Sequence, residues 1–313
     1  MAAEPLNAKA QTVRAIARCP ACGARLVFER AAVCRNVHCG AIYLFAGARA
    51  IPRLLTPADA AEADALMAHH GLTTVPAFGS RTLRLFAPPP PSPCFDPAKN
   101  GRLRRFFGGF PREAVLLDVG AQNFNLHPNI LNFDMAPFAY TDLIGNAHRL
   151  PLADESIDGI VNTGVLEHVT DPDQVVREMA RVLKPGGRVY IETPFLQGEH
   201  PDPQDFRRYT LAGLTRQCMQ FGLTVVEGGM GCGPGSTWAW LARETAAGLF
   251  GGRRSFTCMW AWAGWLTFWL KYLDWPFRRR PYIARLASSY YVIAEKPGAA
   301  ALATGATAQD GRP

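Results

Sequence analysis

The chain has 313 residues, 48% of them hydrophobic and 19% charged, which is the composition of a globular protein with room for one large domain and appendages. Its net charge of +7 is uneven: residues 231–287 hold eight Arg or Lys against Glu244 and Asp274, so +6 of the +7 lies there. No uncharged apolar run reaches the ~20 residues of a membrane-crossing helix.

Residues 1–18 read as a polar or helical lead without the apolar centre of a secretory signal. The eight cysteines are therefore expected in a reducing, cytoplasmic setting, where clustered thiols point to metal rather than disulfides. A Cys-rich unit follows from Cys19 to about Leu55, and an Ala-rich helical pattern fills residues 56–80. The run PPPPSP at 88–93 is a stiff linker in polyproline geometry. A basic, aromatic stretch at 100–110 then leads into the main domain.

Seven strands are expected after that, at residues 114–118, 130–134, 140–144, 157–161, 188–192, 223–227 and 290–294. Only a short polar stretch separates the first two, too little for a full crossover helix, so that helix must be a single turn or missing. Residues 232–287 interrupt the last pair of strands, and the Ala/Gly-rich tail is expected to be disordered.

The richest segment is GNAHRLPLADESIDGIVNTGVLEHVTDPDQVVREMARVLKPGGRVYIETPF, from Gly145 to Phe195. Ile157, Ile160 and Val161 form the apolar run of a buried parallel strand. Val175, Val176, Met179, Val182 and Leu183 recur at helical spacing, with Pro172 in the first turn and Lys184-Pro185-Gly186-Gly187 as the stop. A second strand follows, making a βαβ unit whose first strand ends in a polar loop, where open α/β sheets place ligands.

The phrases LPLADESIDGIV, VLEHVTDP and RVLKPGG resemble, in order and spacing, the middle of class I S-adenosylmethionine (SAM)-dependent methyltransferases acting on small molecules and lipids. The resemblance covers about residues 112–230 plus the last strand. It implies an α/β, Rossmann-like, seven-stranded, mostly parallel sheet with an antiparallel last strand.

It also implies a cofactor site. In VLLDVGAQNFN, Asp118 and Gly120 match the glycine-loop pattern, while Gln122 and Phe124 replace its later glycines. Asn123, which tolerates left-handed backbone better than most residues, is expected to turn the loop instead. Asp134, at the end of the second strand, matches the acid that binds the ribose hydroxyls, and a carboxylate can accept two bonds from a diol. Asn146-Ala147 match the pair beside the adenine, and Asn162 and Thr163 complete the cofactor set.

Methyl transfer requires a nucleophile held on the methyl axis and shielded from water. His168 in VLEHV and His200 in PFLQGEHPDPQDFRRYT follow the fourth and fifth strands and are the catalytic candidates. Asp202 or Asp205 would orient His200, and Arg207, Arg208 and Tyr209 would grip an anionic acceptor. The alternative is a loop held together by Asp–Arg pairs.

Cys19-x-x-Cys22, Cys34 and Cys39, with His38 beside the last, resemble a zinc ribbon, a closed structural Zn2+ site with Cys39 or His38 as fourth ligand. All seven tryptophans lie between Trp238 and Trp275, around the uncharged run SFTCMWAWAGWLTFWL. Flanking cations and Trp262, Trp265 and Trp269 on one face suit an interfacial helix on anionic lipid, the alternative being a cap over the acceptor pocket.

The expected organisation is a zinc-ribbon-like unit (1–58), a helical segment and linker (59–111), a methyltransferase domain (112–231 and 288–297), a Trp-rich helical insertion (232–287) and the tail (298–313). The expected function is O-methylation of a small or lipid-linked acceptor, such as a saccharide or lipid head group, in the cytoplasm or at an anionic membrane surface. The alternatives are an rRNA or tRNA methyltransferase and a non-catalytic partner protein that keeps the fold. Against a nucleic-acid partner, the charge sits with the tryptophans in one apolar insertion rather than along a groove.

Overall fold

The structure, a computed structural model, describes residues 8–47, 49–73, 88–200 and 204–298. Asp202 and nearly all of the tail lie outside the described residues, as does part of the expected helix at 56–80.

Helix α1 (Ala8–Ile16) leads into a small antiparallel sheet of β1 (Leu26–Phe28), β2 (Ala32–Cys34) and β3 (Ile42–Tyr43). A hairpin of β4 (Phe45–Ala46) and β5 (Ile51–Leu54) follows. Helix α2 (Pro57–Thr73) starts with a reciprocal cap. Thr56 Oγ1 accepts from the Asp59 N–H at 3.3 Å, and Asp59 Oδ2 accepts from the Thr56 N–H at 3.2 Å. Helix α3 (Lys99–Gly108) buries Leu103 and Phe106 against the main sheet.

That sheet contains β6 (Leu116–Val119), β7 (Ile130–Asp134), β8 (Leu143–Gly145), β9 (Ile157–Thr163), β10 (Leu183–Pro194), β11 (Thr224–Met230) and β12 (Ser289–Glu295). Its order is β11-β12-β10-β9-β6-β7-β8-β5-β4. The pairs from β10 to β5 are parallel, and β12 runs antiparallel to both β10 and β11. The seven expected strands are all present, in a Rossmann-like arrangement with an antiparallel last strand.

The sheet has nine strands rather than seven. β5 adds in parallel to β8, with Arg53 opposite Ile144, and β4 pairs with β5. An edge strand with unpaired N–H and C=O groups gains by such cover. The last part of the Cys-rich unit is thus stitched into the main sheet.

One local feature bears out the sequence reading and one differs from it, each for a clear reason. Between β6 and β7 the described chain forms only turns, because so short a connection has no length for a crossover helix. Helix α4 (Pro172–Val182), capped by Asp171 accepting from the Gln174 N–H at 3.0 Å, passes directly into β10. The Lys184–Gly187 stretch lies inside that strand as an irregularity, with the β9 register shifting between Leu183 and Arg188.

Helix α5 (Leu211–Gln220) begins at Thr210, whose Oγ1 accepts from the Gly213 N–H at 3.0 Å, as its sequence requires. The insertion between β11 and β12 is a helical hairpin of α6 (Pro234–Gly248) and α7 (Arg253–Thr267), continued by short helical turns and α8 (Asp274–Phe277). Asp274 locks it down. Its carboxylate accepts from the N–H groups of Gly233, Gly235 and Ser236 at 3.0, 2.7 and 3.1 Å and from Ser236 Oγ at 2.6 Å, capping the start of α6 from a distant turn.

Candidate active site

The carboxyl ends of β6, β9 and β10 meet the start of the insertion around a cavity of about 490 Å³. Gly120 leaves β6 with φ +83°, and a Cβ there would lie 2.2 Å from Val165 Cγ2, so both conformation and space require glycine. The next turn is made by Gln122, at φ 45°, rather than by Asn123. The cause is Asp134: its Oδ2 accepts from the Gln122 N–H at 3.0 Å while Oδ1 accepts from the Ala136 N–H at 3.1 Å. A long-range anchor thus bends the loop where the usual glycines are missing. Asn123 instead accepts from the Ala139 N–H at 3.4 Å.

Asp118, Gly120, Gln122, Thr163, His168 and His200 all line the cavity. Burial, with the Asp134 charge adding to it and Lys99 opposing, pushes the Asp118 carboxyl up to about 7. Asn162 is buried behind the wall, donating to the Val119 carbonyl at 3.2 Å and so tying β9 to β6. Asn146 lies off the cavity. It donates to Asp59 Oδ1 at 2.7 Å and accepts from the His148 N–H at 2.9 Å, while Ala147 starts a short 3-10 turn packed on the core.

Sequence reasoning missed the floor. Lys99 and Glu192 line the cavity and pair at 3.0 Å. Tyr190 and Ser289 hydroxyls donate to the two Glu192 oxygens at 2.9 and 3.0 Å. Burial works against the Glu192 charge, but Lys99 and these donors outweigh it and hold the carboxyl below its ordinary range. Burial likewise opposes the Lys99 charge, and Glu192 more than restores it. Cys94 and Cys232 stand at the same wall. The basic stretch that follows Lys99 was the only available signal, because the partner is 93 residues away in sequence.

On the acceptor side the His168 and His200 rings meet edge-on, 5.2 Å apart. His168 Nδ1 lies 2.5 Å from the Gln204 carbonyl, and His200 Nδ1 lies 3.0 Å from the Gly198 carbonyl and 3.5 Å from Asp205 Oδ2. Glu167 sits beneath them, 2% exposed, its carboxyl pushed up to about 8 by burial. Asp205 receives the His200 N–H at 2.8 Å and a two-pronged guanidinium contact from Arg208. Arg207 donates to the Thr170 carbonyl at 3.1 Å. Both arginines therefore brace the loop, and Tyr209 is buried.

Away from the cavity, one donor atom from each of Cys19, Cys22, Cys34 and Cys39 falls within 4.8 Å of the others. Two sulfur pairs are 3.5 and 3.8 Å apart, close to the ~3.8 Å that a tetrahedral Zn–S distance of about 2.3 Å dictates. The Asn36 N–H points at Cys34 Sγ at 3.4 Å, while His38 is exposed and outside the cluster. The four thiols fit a closed zinc site.

The insertion serves both as wall and as surface. Trp240 contacts the His200 ring at 5.5 Å, and Arg243 is buried between the Trp240 and Trp260 rings, 4.8 and 4.0 Å from their centres. Lys271 is also internal, donating to the Ser92 carbonyl at 2.7 Å. Part of the segment's positive charge is thus structural. Trp262, Trp265 and Trp269 remain 61, 42 and 52% exposed. No helix among the described residues is long and apolar enough to cross a membrane.

Comparison with known proteins agrees with this fold. Residues 120–191 match the family described as a methyltransferase domain. A probable S-adenosylmethionine-dependent methyltransferase of Mycolicibacterium smegmatis is 50% identical over 50 residues, covering 16% of this chain and 20% of that protein. Methyltransferase GfsG of Streptomyces halstedii is 46% identical over 59 residues, covering 19% of this chain and 21% of that protein. The chain thus spans about a fifth of the length of these curated relatives. Among solved structures, the 1,6-didemethyltoxoflavin-N1-methyltransferase of Burkholderia thailandensis is 14% identical with a TM-score of 0.42, over 87% of this chain and 97% of that one. Residues 120–191 are thus similar to a methyltransferase domain, and they lie within the mostly parallel sheet described above.

Proposed function

We propose that the protein is a SAM-dependent methyltransferase that methylates an oxygen of a small or lipid-linked acceptor. The observation that carries this reading is the single cavity joining Asp118, Gly120, Gln122 and Thr163 to His168 and His200. When bound, SAM supplies an electrophilic methyl group on a sulfonium. Asp118 and the Gly120–Gln122 turn would hold it, and Asp134 would take the ribose hydroxyls. Asn162 and Asn123 would keep strand and loop in place. His200 and His168 face the acceptor, with Trp240 excluding water above them. The four cysteines would carry a structural Zn2+ ion.

The exposed Trp262, Trp265 and Trp269, with Arg278, Arg279 and Arg280 nearby in sequence, support a second element: reversible docking on an anionic membrane, where a lipid-linked acceptor would be met. Calorimetric titration with SAM tests the central reading. Saturable binding, weakened by about 2 kcal/mol in Asp134→Ala, is expected. Absence of binding by the wild type would leave the non-catalytic alternative. Flotation with anionic vesicles that weakens in an Arg278/Arg279/Arg280→Ser variant is the matching test of docking.

A further inference from the structure

We propose that Glu167, His168 and His200 form a divalent-cation site on the acceptor side of the cavity, open to an oxygen ligand of the methyl acceptor. One donor atom from each residue lies within 4.8 Å of the other two. All three residues line the cavity. They come from two loops, at the ends of β9 and β10, which the sheet brings together.

The surroundings favour tautomers that leave Nε2 for the ion. A carbonyl oxygen can only accept, so His168 Nδ1, facing the Gln204 carbonyl, carries the proton. His200 Nδ1 lies nearer the Gly198 carbonyl, at 3.0 Å, than the donor Arg208 Nη2, at 3.3 Å, and Arg208 is already engaged by Asp205, so a proton on Nδ1 is the arrangement that ion binding selects. Each Nε2 is then the basic, ligating atom. Outer oxygens holding Nδ1–H are the usual support of metal-binding imidazoles. The third donor is independent of this. Glu167 is buried, and its Oε2 has no hydrogen-bond partner, which is costly for a carboxylate unless a cation satisfies it.

Nearby charge permits a cation. Arg208 approaches His200 Nδ1 at 3.3 Å, but the two-pronged contact with Asp205 offsets its charge. Two imidazoles and one carboxylate suit Zn2+, Fe2+ or Mn2+ rather than Ca2+. Three protein donors leave positions for an exogenous ligand, unlike the four-cysteine cluster. An acceptor hydroxyl bound there would be held beside the cofactor end of the cavity and made more acidic. In that state the histidines hold the ion, and the proton of the more acidic hydroxyl leaves to solvent water as the oxygen binds the ion. This role toward the acceptor rests on the methyltransferase reading, whereas the ion site itself does not.

Mn2+ is the probe, because four thiolates favour softer ions and will not compete for it. Titration of the full chain followed by electron paramagnetic resonance is expected to show one Mn2+ per chain. Pulsed measurements on the wild type should show nitrogen couplings from imidazole. Glu167→Gln and His200→Asn should each weaken Mn2+ binding at least tenfold while leaving the protein able to bind SAM in calorimetry. Bound Mn2+ without nitrogen couplings, or no saturable binding by the wild type at millimolar Mn2+, would overturn the proposal, and neither result depends on a variant folding. Mn2+ binding with imidazole couplings in a protein that ignores SAM would keep the ion site and remove the methyltransferase reading.

Discussion

Replacing Lys99 by Met should expose how the cavity floor is held together. Lys99 Nζ stands 3.0 Å from Glu192 Oε2, and the Glu192 side chain is 9% exposed. Removing one partner of a buried pair typically costs about 3–5 kcal/mol, because the other charge is left unpaired. Two features reduce that here. The Lys99 side chain is 34% exposed, and the Tyr190 and Ser289 hydroxyls still donate to Glu192. A loss of about 2–3 kcal/mol at pH 8 is therefore expected. In the wild type Glu192 titrates below its unfolded value, so its contribution is present above that value and is lost as pH falls. Without Lys99, burial dominates and the sign reverses: the protonated form is favoured, and stability falls as pH rises. The difference between wild type and Lys99→Met in urea unfolding should thus grow from pH 5 to pH 8. The double variant Lys99→Met/Glu192→Gln should recover most of it. A pH-independent difference under about 0.5 kcal/mol, the usual size of a neutral surface change, would refute the reasoning.

Gly120→Ala combines a left-handed backbone with a 2.2 Å approach to Val165 Cγ2, and should weaken SAM binding at least tenfold in calorimetry by displacing the loop. Asp118, raised from 3.8 to about 7, contributes stability that is full below the lower value and lost as pH rises through the higher. Asp118→Asn should therefore stabilise the unliganded protein at pH 8 far more than at pH 5 in urea unfolding, while abolishing any rise in SAM affinity across pH 6 to 8. Asp274→Ala strands three backbone N–H groups and one hydroxyl at the start of α6, and should cost about 3 kcal/mol or more by thermal melting, with early amide exchange confined to the insertion.

The periodicities around residues 145–195 determined the βαβ unit, because buried parallel strands and an amphipathic helix leave local patterns, while the arrangement of the whole sheet was implied by the family resemblance. The helix start at Pro172 was legible for the same reason, since its signal is local. Asp118, Gly120 and the two histidines could be placed in one site because all follow strands whose order the motif implied. What only the tertiary structure decided are the long-range pairings. Asp134 bends the Gln122 turn, β5 covers the edge at β8, Lys99 and Glu192 neutralise each other, and Asp274 caps a helix 38 residues earlier. Arg243 and Lys271 read as surface charge in the sequence, yet one is buried between indole rings and the other ties down the linker. Such contacts leave no periodic trace. A single polar residue becomes cap, counter-ion or ligand only through the partner that the folded chain sets beside it.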